Sequence, residues 1–159
     1  MDCLRHLFAS LGFSKVETFI ASGNIVFETR SKNAQVLERE IEDKLREALG
    51  YAVATFIRTD AELAAIANYK PFSQSELDRA AALNIAFLAD RLDDESSQKL
   101  MALRTELDDF HIHEREVYWL CRKKQSGSKI SNAVLEKAFG QKSILRGAST
   151  VRKMAAKYT

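Results

Sequence analysis

The residues best suited to metal binding are two histidines on a predicted hairpin strand. His111 and His113 lie two positions apart within residues 110–121, so both imidazoles project from one face of the strand. Two imidazoles on one face are the beginning of a metal site, but a catalytic zinc site takes at least three protein ligands. The remaining histidine, His6, lies on a distant predicted helix. The sequence therefore favours a solvent-facing pair and predicts no metal and no cofactor.

A second candidate is the cysteine that ends the same hairpin. Cys121 is followed by Arg122, Lys123 and Lys124, and neighbouring cations lower the pKa of a thiol. No histidine and acid accompany it to form a nucleophile. Its alternation with Trp119 favours a small buried core residue.

A short loop offers a third chemistry. Ser126-Gly127-Ser128-Lys129 leads into a helix that Ser131 is placed to cap. Free N–H groups at a helix start, together with a lysine, hold phosphate in many proteins. The loop lacks the second glycine of a Walker sequence, so a solvated turn remains the alternative.

The turn Ser22-Gly23-Asn24 is the fourth candidate. Glycine and asparagine tolerate the positive φ of tight hairpin turns, and this alone explains Gly23 and Asn24. Ser22 and Asn24 could also present their side chains to a ligand.

Charge is distributed unevenly along the chain. Residues 115–159 hold 11 Lys and Arg residues against two acids, a net charge of +9, whereas residues 1–114 carry −7. A segregated basic surface favours an anionic partner, although folding can intermix charges that are separate in sequence. We predict a contiguous positive surface formed by Arg122, Lys123, Lys124, Lys129, Arg146, Arg152 and Lys153.

Composition sets the class of protein. Apolar residues make up 46% of the 159 residues, which is ordinary for a globular chain. No apolar run approaches the ~20 residues of a membrane span, the N-terminus shows no signal peptide, and two cysteines are too few for a disulfide framework. The sequence predicts a cytoplasmic protein that does not contact membranes.

The predicted elements repeat. Each half reads as helices and a hairpin beside one sheet, which predicts the α+β class with helices packed on mostly antiparallel sheets. The first set comprises a helix at residues 2–12, a hairpin at 16–28, a helix at 33–49 and a strand at 52–57; the second comprises a strand at 83–88, a helix at 93–106, a hairpin at 110–121 and a helix at 131–139. We place the first module at residues 1–72 and the second, with basic C-terminal helices, at residues 80–159.

Several motifs resemble one bacterial family. They are Leu11-Gly12-Phe13, Thr18-Phe19-Ile20-Ala21-Ser22-Gly23-Asn24-Ile25-Val26-Phe27, Arg58-Thr59 with Glu62-Leu63, Pro71-Phe72, and Ser128-Lys129 with Asn132 and Leu135-Glu136. Together they resemble the family called domain of unknown function 1697. The resemblance implies two modules related to the ferredoxin-like arrangement and assigns no biochemical role.

The chain departs from the family pattern in two places. The family's first strand and Gly-rich loop have no counterpart here, and Gly147-Ala148 replaces an Asn-Trp pair. A module without its central strand has open strand edges, which recruit other strands. Either the strand at residues 52–57 pairs directly with the hairpin, or a strand of another chain fills the gap, or the native protein is longer. Of these we favour a homodimer through the first module.

Three classes of function follow. The favoured hypothesis is a non-catalytic module that binds an anionic ligand, nucleic acid or a phosphorylated metabolite, through the basic C-terminal half. The alternatives are an enzyme of unknown reaction with a site between the modules, using Ser22, Asn24, Lys129 and Arg146, and a structural oligomerisation protein.

Overall fold

A computed structural model of the protein describes residues 2–18, 24–29, 33–51, 53–122 and 130–158. The chain divides into two units, Met1–Ile57 and Arg58–Thr159. Each unit combines helices with an antiparallel sheet, which confirms the α+β class. The relationship of the modules to the ferredoxin-like arrangement stays a prediction.

The first unit packs two helices on a two-stranded sheet. Its elements are α1 (Asp2–Ser10), β1 (Ser14–Thr18), β2 (Ile25–Glu28) and α2 (Ala34–Leu49). The strands pair antiparallel, with Thr18 opposite Ile25, as the alternating sequence predicts. Asn33 caps α2 by accepting hydrogen bonds from two backbone N–H groups of the first turn, and the left-handed Gly50 ends it.

Aromatic rings fill the core of the first unit. The rings of Phe13 and Phe27 stack with their centroids 4.4 Å apart, and Phe8 packs against both. Helix α2 contributes the buried side chains Leu37, Ile41 and Leu45, at the three- and four-residue spacing of an amphipathic helix.

The structure corrects the prediction of a strand at residues 52–57. Residues 53–57 lie outside every helix and strand, although Val53 and Ile57 pack on the core of the unit. Carboxylates of α2 bind the backbone there: the N–H of Thr55 donates to Glu42 and that of Ile57 donates to Glu38, both at 2.9 Å. Side chains thus occupy N–H groups that a neighbouring strand would otherwise bind.

The second unit is built on a four-stranded sheet. Its elements are α3 (Asp60–Asn68), α4 (Gln74–Arg79), β3 (Ala82–Leu88), α5 (Asp94–Met101), β4 (Asp108–His113), β5 (Glu116–Cys121), α6 (Asn132–Phe139), β6 (Ser143–Gly147) and α7 (Ala148–Tyr158). The strands run antiparallel in the order β4-β5-β3-β6. None of the helices in the described ranges is long and apolar enough to cross a membrane.

The two faces of this sheet bury different layers. One face carries Trp119 and Phe110, which pack with Leu100 of α5 and with Leu135 and Phe139 of α6. The opposite face carries Tyr118, whose hydroxyl donates to the carbonyl of Ile66 in α3 at 3.0 Å. Helices α3 and α7 contact each other.

Strand β6 and the grouping of residues 58–72 differ from the sequence expectation, and helix α5 ends at Met101 and not at the predicted residue 106. Residues 143–147 form strand β6, where only a connection between helices was predicted, because pairing with β3 supplies backbone partners that local sequence does not reveal. Residues 58–72, which the sequence groups with the first module, belong to the second unit. Contacts of α3 with α7 and with Tyr118 hold them there.

Candidate functional site

A cleft of about 570 Å³ opens in the second unit beside the C-terminal end of α3. Helix α4, the first residues of β3 and one residue of α7 form the rest of its wall. The described lining consists of Ala67, Asn68, Tyr69, Lys70, Pro71, Gln74, Leu77, Asp78, Ala80, Ala82, Leu83 and Arg152. Six of these residues are apolar and six are polar or charged, so the cleft offers a ligand both an apolar wall and several polar groups.

The charged groups of the cleft are two cations and one carboxylate. Lys70 and Arg152 are exposed side chains of the lining. The carboxylate of Asp78 accepts a hydrogen bond from the Gln74 amide at 2.8 Å. The lining therefore carries a positive excess, which favours an anion.

The chain around Tyr69 is shaped by the end of one helix and the start of the next. Helix α3 stops because Tyr69 adopts an extended conformation and Pro71 follows, which cannot continue a helix. Ser73 then caps α4 by accepting a hydrogen bond from the N–H of Glu76. These breaks leave residues 69–73 as a short connection between the two helices.

Tyr69 joins the cleft to the histidine pair predicted from the sequence. Its hydroxyl lies 2.7 Å from Nε2 of His111, and its ring stacks on His113 with centroids 3.9 Å apart. Tyr118 and Phe72 pack around the same cluster. The two histidines do share one face, but they are half-buried beneath aromatic rings rather than solvent-facing.

The cluster disfavours charge on the imidazoles. Partial burial lowers the pKa of His111, and the neighbouring His113 lowers it further, whereas Asp109 opposes the shift. Asp109 is itself held by Arg104 at 2.8 Å. Within the described ranges, no three His, Cys, Asp or Glu side chains come together as a metal site.

The described members of the predicted basic set lie in different parts of the second unit. Arg152 lines the cleft. Arg122 follows β5, whose last residue pairs with the cleft residue Ala82, and its guanidinium donates to the carbonyl of Glu106 and lies 3.9 Å from Asp109. Lys123, Lys124 and Lys129 fall outside the described residues, so a contiguous positive surface stays a prediction.

Arg146 is on the edge strand β6, opposite Ile85 of β3. It is half-buried, and burial lowers the pKa of its guanidinium, which donates to the carbonyl of Leu145 at 2.9 Å. In the first unit, Asn24 immediately precedes β2, and Ser22 is outside the described residues. Ligand contacts of these residues remain predictions.

Cys121 is a core residue, as its alternation predicts. The side chain is 1% exposed, and its sulfur accepts a hydrogen bond from the Asn84 amide at 3.7 Å. Burial raises the pKa of the thiol to about 11, so the neutral form dominates at physiological pH.

A buried ion pair accounts for part of the Arg58-Thr59 and Glu62-Leu63 motif. Nε of Arg58 lies 2.8 Å from Glu116, with both side chains at most 6% exposed. The guanidinium also donates to the carbonyls of Leu88 and Arg115. Burial is the main cause of both pKa shifts, lowering that of Arg58 and raising that of Glu116.

The other residues of that motif are also structural. Thr59 and Glu62 form a capping box at the start of α3, and Glu62 pairs with Arg115 at 2.7 Å. The sequence predicted neither this ion-pair cluster nor a role for Tyr69 and Lys70. The only local signal for the latter was an aromatic and a cation next to the chain's single proline.

Comparison with known proteins now gives the class. The sequence model of the family described as protein of unknown function (DUF1697) matches residues 1–118. The chain belongs to this family, as its motifs predict.

A solved structure shares the fold. The chain is similar to a conserved bacterial protein from Streptococcus pneumoniae, with a TM-score of 0.79 and 22% sequence identity, covering 100% of this chain and 88% of that one. At this identity the likeness shows the fold alone. No curated protein matches the chain.

Proposed function

We propose that this protein is a non-catalytic module that binds a phosphate-bearing small molecule in the cleft of its second unit. The observation that carries the proposal is the placement of Lys70 and Arg152 on one cleft of about 570 Å³. A guanidinium is suited to bidentate contact with phosphate oxygens, and an ammonium acts as a second point charge.

The size of the cleft favours a small molecule over a polynucleotide. Pockets of about 300–1,000 Å³ bury most of a ligand of metabolite size, and this cleft falls within that range. Extended nucleic acid instead takes a long basic track with many phosphate contacts. The apolar wall, including Leu77 and Leu83, would cover the uncharged part of a phosphorylated metabolite.

The residue types of the lining support binding rather than covalent chemistry. Of the described residues that line the cleft, none is a serine, threonine, cysteine or histidine. Nucleophilic catalysis pairs a nucleophile with a base within hydrogen-bond reach. Of the other nucleophile types in the lining, the carboxylate of Asp78 is bound by the Gln74 amide and Lys70 is exposed. The Tyr69 hydroxyl is within hydrogen-bond distance of Nε2 of His111, but the phenol ring stacks on His113 and is tilted against His111, so packing within an aromatic cluster accounts for the contact.

The experiment is a calorimetric titration with three probes: inorganic phosphate, adenosine monophosphate and a single-stranded oligonucleotide. We expect adenosine monophosphate to bind more tightly than inorganic phosphate. We expect Arg152→Ala to weaken it at least tenfold. Lys153→Ala is the matched control, because Lys153 is an exposed cation of the same helix and is not among the described lining residues; it should change affinity less than twofold.

Other outcomes assign the ligand differently or overturn the proposal. Tighter oligonucleotide binding with a steep salt dependence, weakened equally by both substitutions, would indicate a nucleic-acid surface and not the cleft. Absence of binding of every probe at millimolar concentration would overturn an anion site in this unit.

A further inference from the structure

The backbone of residues 53–57 in the first unit is bound by a ladder of carboxylates. Glu38 and Glu42, one helical turn apart on α2, accept hydrogen bonds from the N–H groups of Ile57 and Thr55. Glu38 is buried, at 8% exposure. Glutamates in this position take the role that the carbonyls of a neighbouring strand have in a sheet.

The geometry of the two elements explains why the ladder fits. Four residues of a helix advance about 6 Å, and two residues of an extended chain advance about 6.6 Å. Because Glu38 meets Ile57 and Glu42 meets Thr55, the segment runs antiparallel to α2. Bonds to alternate N–H groups on one side are typical of an extended segment.

We propose that residues 53–57 are a strand-pairing edge through which two copies of the chain associate, with Glu38 and Glu42 competing for the same N–H groups. Pairing releases the carboxylates to water and replaces them with backbone carbonyls of the second copy. Charged side chains are a common protection for such edges.

The register of the two bound N–H groups fixes the symmetry of the pairing. In an antiparallel ladder centred on Thr55, this residue and its copy exchange both hydrogen bonds, and the N–H of Ile57 reaches the carbonyl of the second copy's Val53. The N–H groups now bound by Glu42 and Glu38 are therefore the ones that a two-fold axis at Thr55 satisfies. Such an axis gives a closed dimer.

The sequence of the segment suits a second copy of itself. Val53-Ala54-Thr55-Phe56-Ile57 carries no charge and no proline, so two copies meet without like-charge repulsion. Four of its residues, all but Ala54, are β-branched or aromatic types with high strand propensity. Val53 and Ile57 already pack on the core of the unit, so these two side chains are not needed for association along the backbone edge.

A cysteine crosslink tests the register directly. Residues in a hydrogen-bonded antiparallel pair have Cα atoms about 5.5 Å apart, within the range that a disulfide spans. In a Cys3→Ser background, Thr55→Cys should form covalent dimers under mild oxidation. Glu47→Cys, an exposed position on α2, is the control; equal crosslinking of the two variants, or none, would overturn the proposal.

Removing the competing carboxylates tests whether Glu38 and Glu42 oppose dimerisation. Glu38→Ala with Glu42→Ala should tighten dimerisation at least tenfold in sedimentation equilibrium, because the monomer loses partners that the dimer does not need. Glu40→Ala with Glu47→Ala alters the same charge at exposed positions of the helix and should change it less than twofold. Dimerisation that is unchanged or weakened in the first variant, with its circular dichroism intact, would refute the competition; if that variant unfolds, the crosslink decides.

Discussion

Loss of the Glu116 carboxylate should destabilise the second unit strongly. Glu116→Gln keeps the shape of the side chain but leaves the guanidinium of Arg58 without its 2.8 Å ion pair, at a site where both side chains are at most 6% exposed. Breaking a buried pair by removing one partner costs about 3–5 kcal/mol. Arg115 places a second positive charge nearby and Glu62 a negative one, and the guanidinium keeps its hydrogen bonds to the carbonyls of Leu88 and Arg115, so the loss should not exceed this range.

The assay is urea unfolding followed by tryptophan fluorescence. Trp119 is the only tryptophan of the chain and is buried in the core of the second unit, so its emission reports that unit alone. At a slope of about 2 kcal/mol per molar urea, the midpoint should fall by about 2 M. Glu114→Gln is the matched control, because its partner Arg91 and Glu114 are 72% and 51% exposed, and exposed pairs contribute about 0–1 kcal/mol.

Equal losses in the two glutamine variants would refute this reasoning, because they would mean that water reaches the Arg58 pair. The double variant Arg58→Met with Glu116→Leu adds a second check. It removes both charges together, and replacing a buried pair by apolar side chains is often neutral. It should therefore recover most of the stability that Glu116→Gln loses.

Two further predictions concern titratable groups of the second unit. Because the pKa of His111 is lowered, the folded protein binds this proton more weakly than the unfolded chain. The stability contributed by the neutral imidazole is therefore complete above the unfolded pKa of about 6.5 and falls as the pH drops below it. The urea midpoint should decline between pH 7 and pH 5, and His111→Gln should reduce this decline. The thiol of Cys121, with its pKa raised to about 11, should resist iodoacetamide at pH 8 in a Cys3→Ser chain until urea unfolds the protein. Rapid labelling of the native chain would contradict its burial.

Most helices and both predicted hairpins follow from local sequence. The amphipathic spacing of α2 predicts a helix and the alternation of residues 110–121 predicts paired strands. The structure has both the helix and the strand pair. The shared face of His111 and His113 also follows from alternation. Their burial does not, because it depends on Tyr69, 42 residues from His111 in the chain.

Elements that depend on distant partners could not be predicted. Strand β6 is short and contains Arg146 and Gly147, and only pairing with β3 identifies it. Residues 53–57 show the opposite error, because a strand was predicted there and none is present. Their composition is that of a strand, but glutamates 13 and 19 residues away bind their N–H groups. Strand propensity measures packing and pairing context as much as local preference.

The candidate site was predicted only in part. Charge counting led to Arg152, because it lies in the basic C-terminal part of the chain. Lys70 and Tyr69 lie in the part of the chain that the sequence analysis groups with the first module, and the cleft that joins them to Arg152 forms only when α3, β3 and α7 come together. Because Lys70 and Arg152 are far apart in the sequence, no local pattern indicates that they share a cleft.

The most direct test of the cleft as a ligand site is amide chemical-shift mapping with adenosine monophosphate. The account predicts saturable shifts confined to residues 67–70, 77–83 and the amides around Arg152, which together border the cleft. It also predicts that Arg152→Ala weakens them and Lys153→Ala does not. Saturable shifts centred on another part of the chain, or no shifts at millimolar ligand, would contradict it.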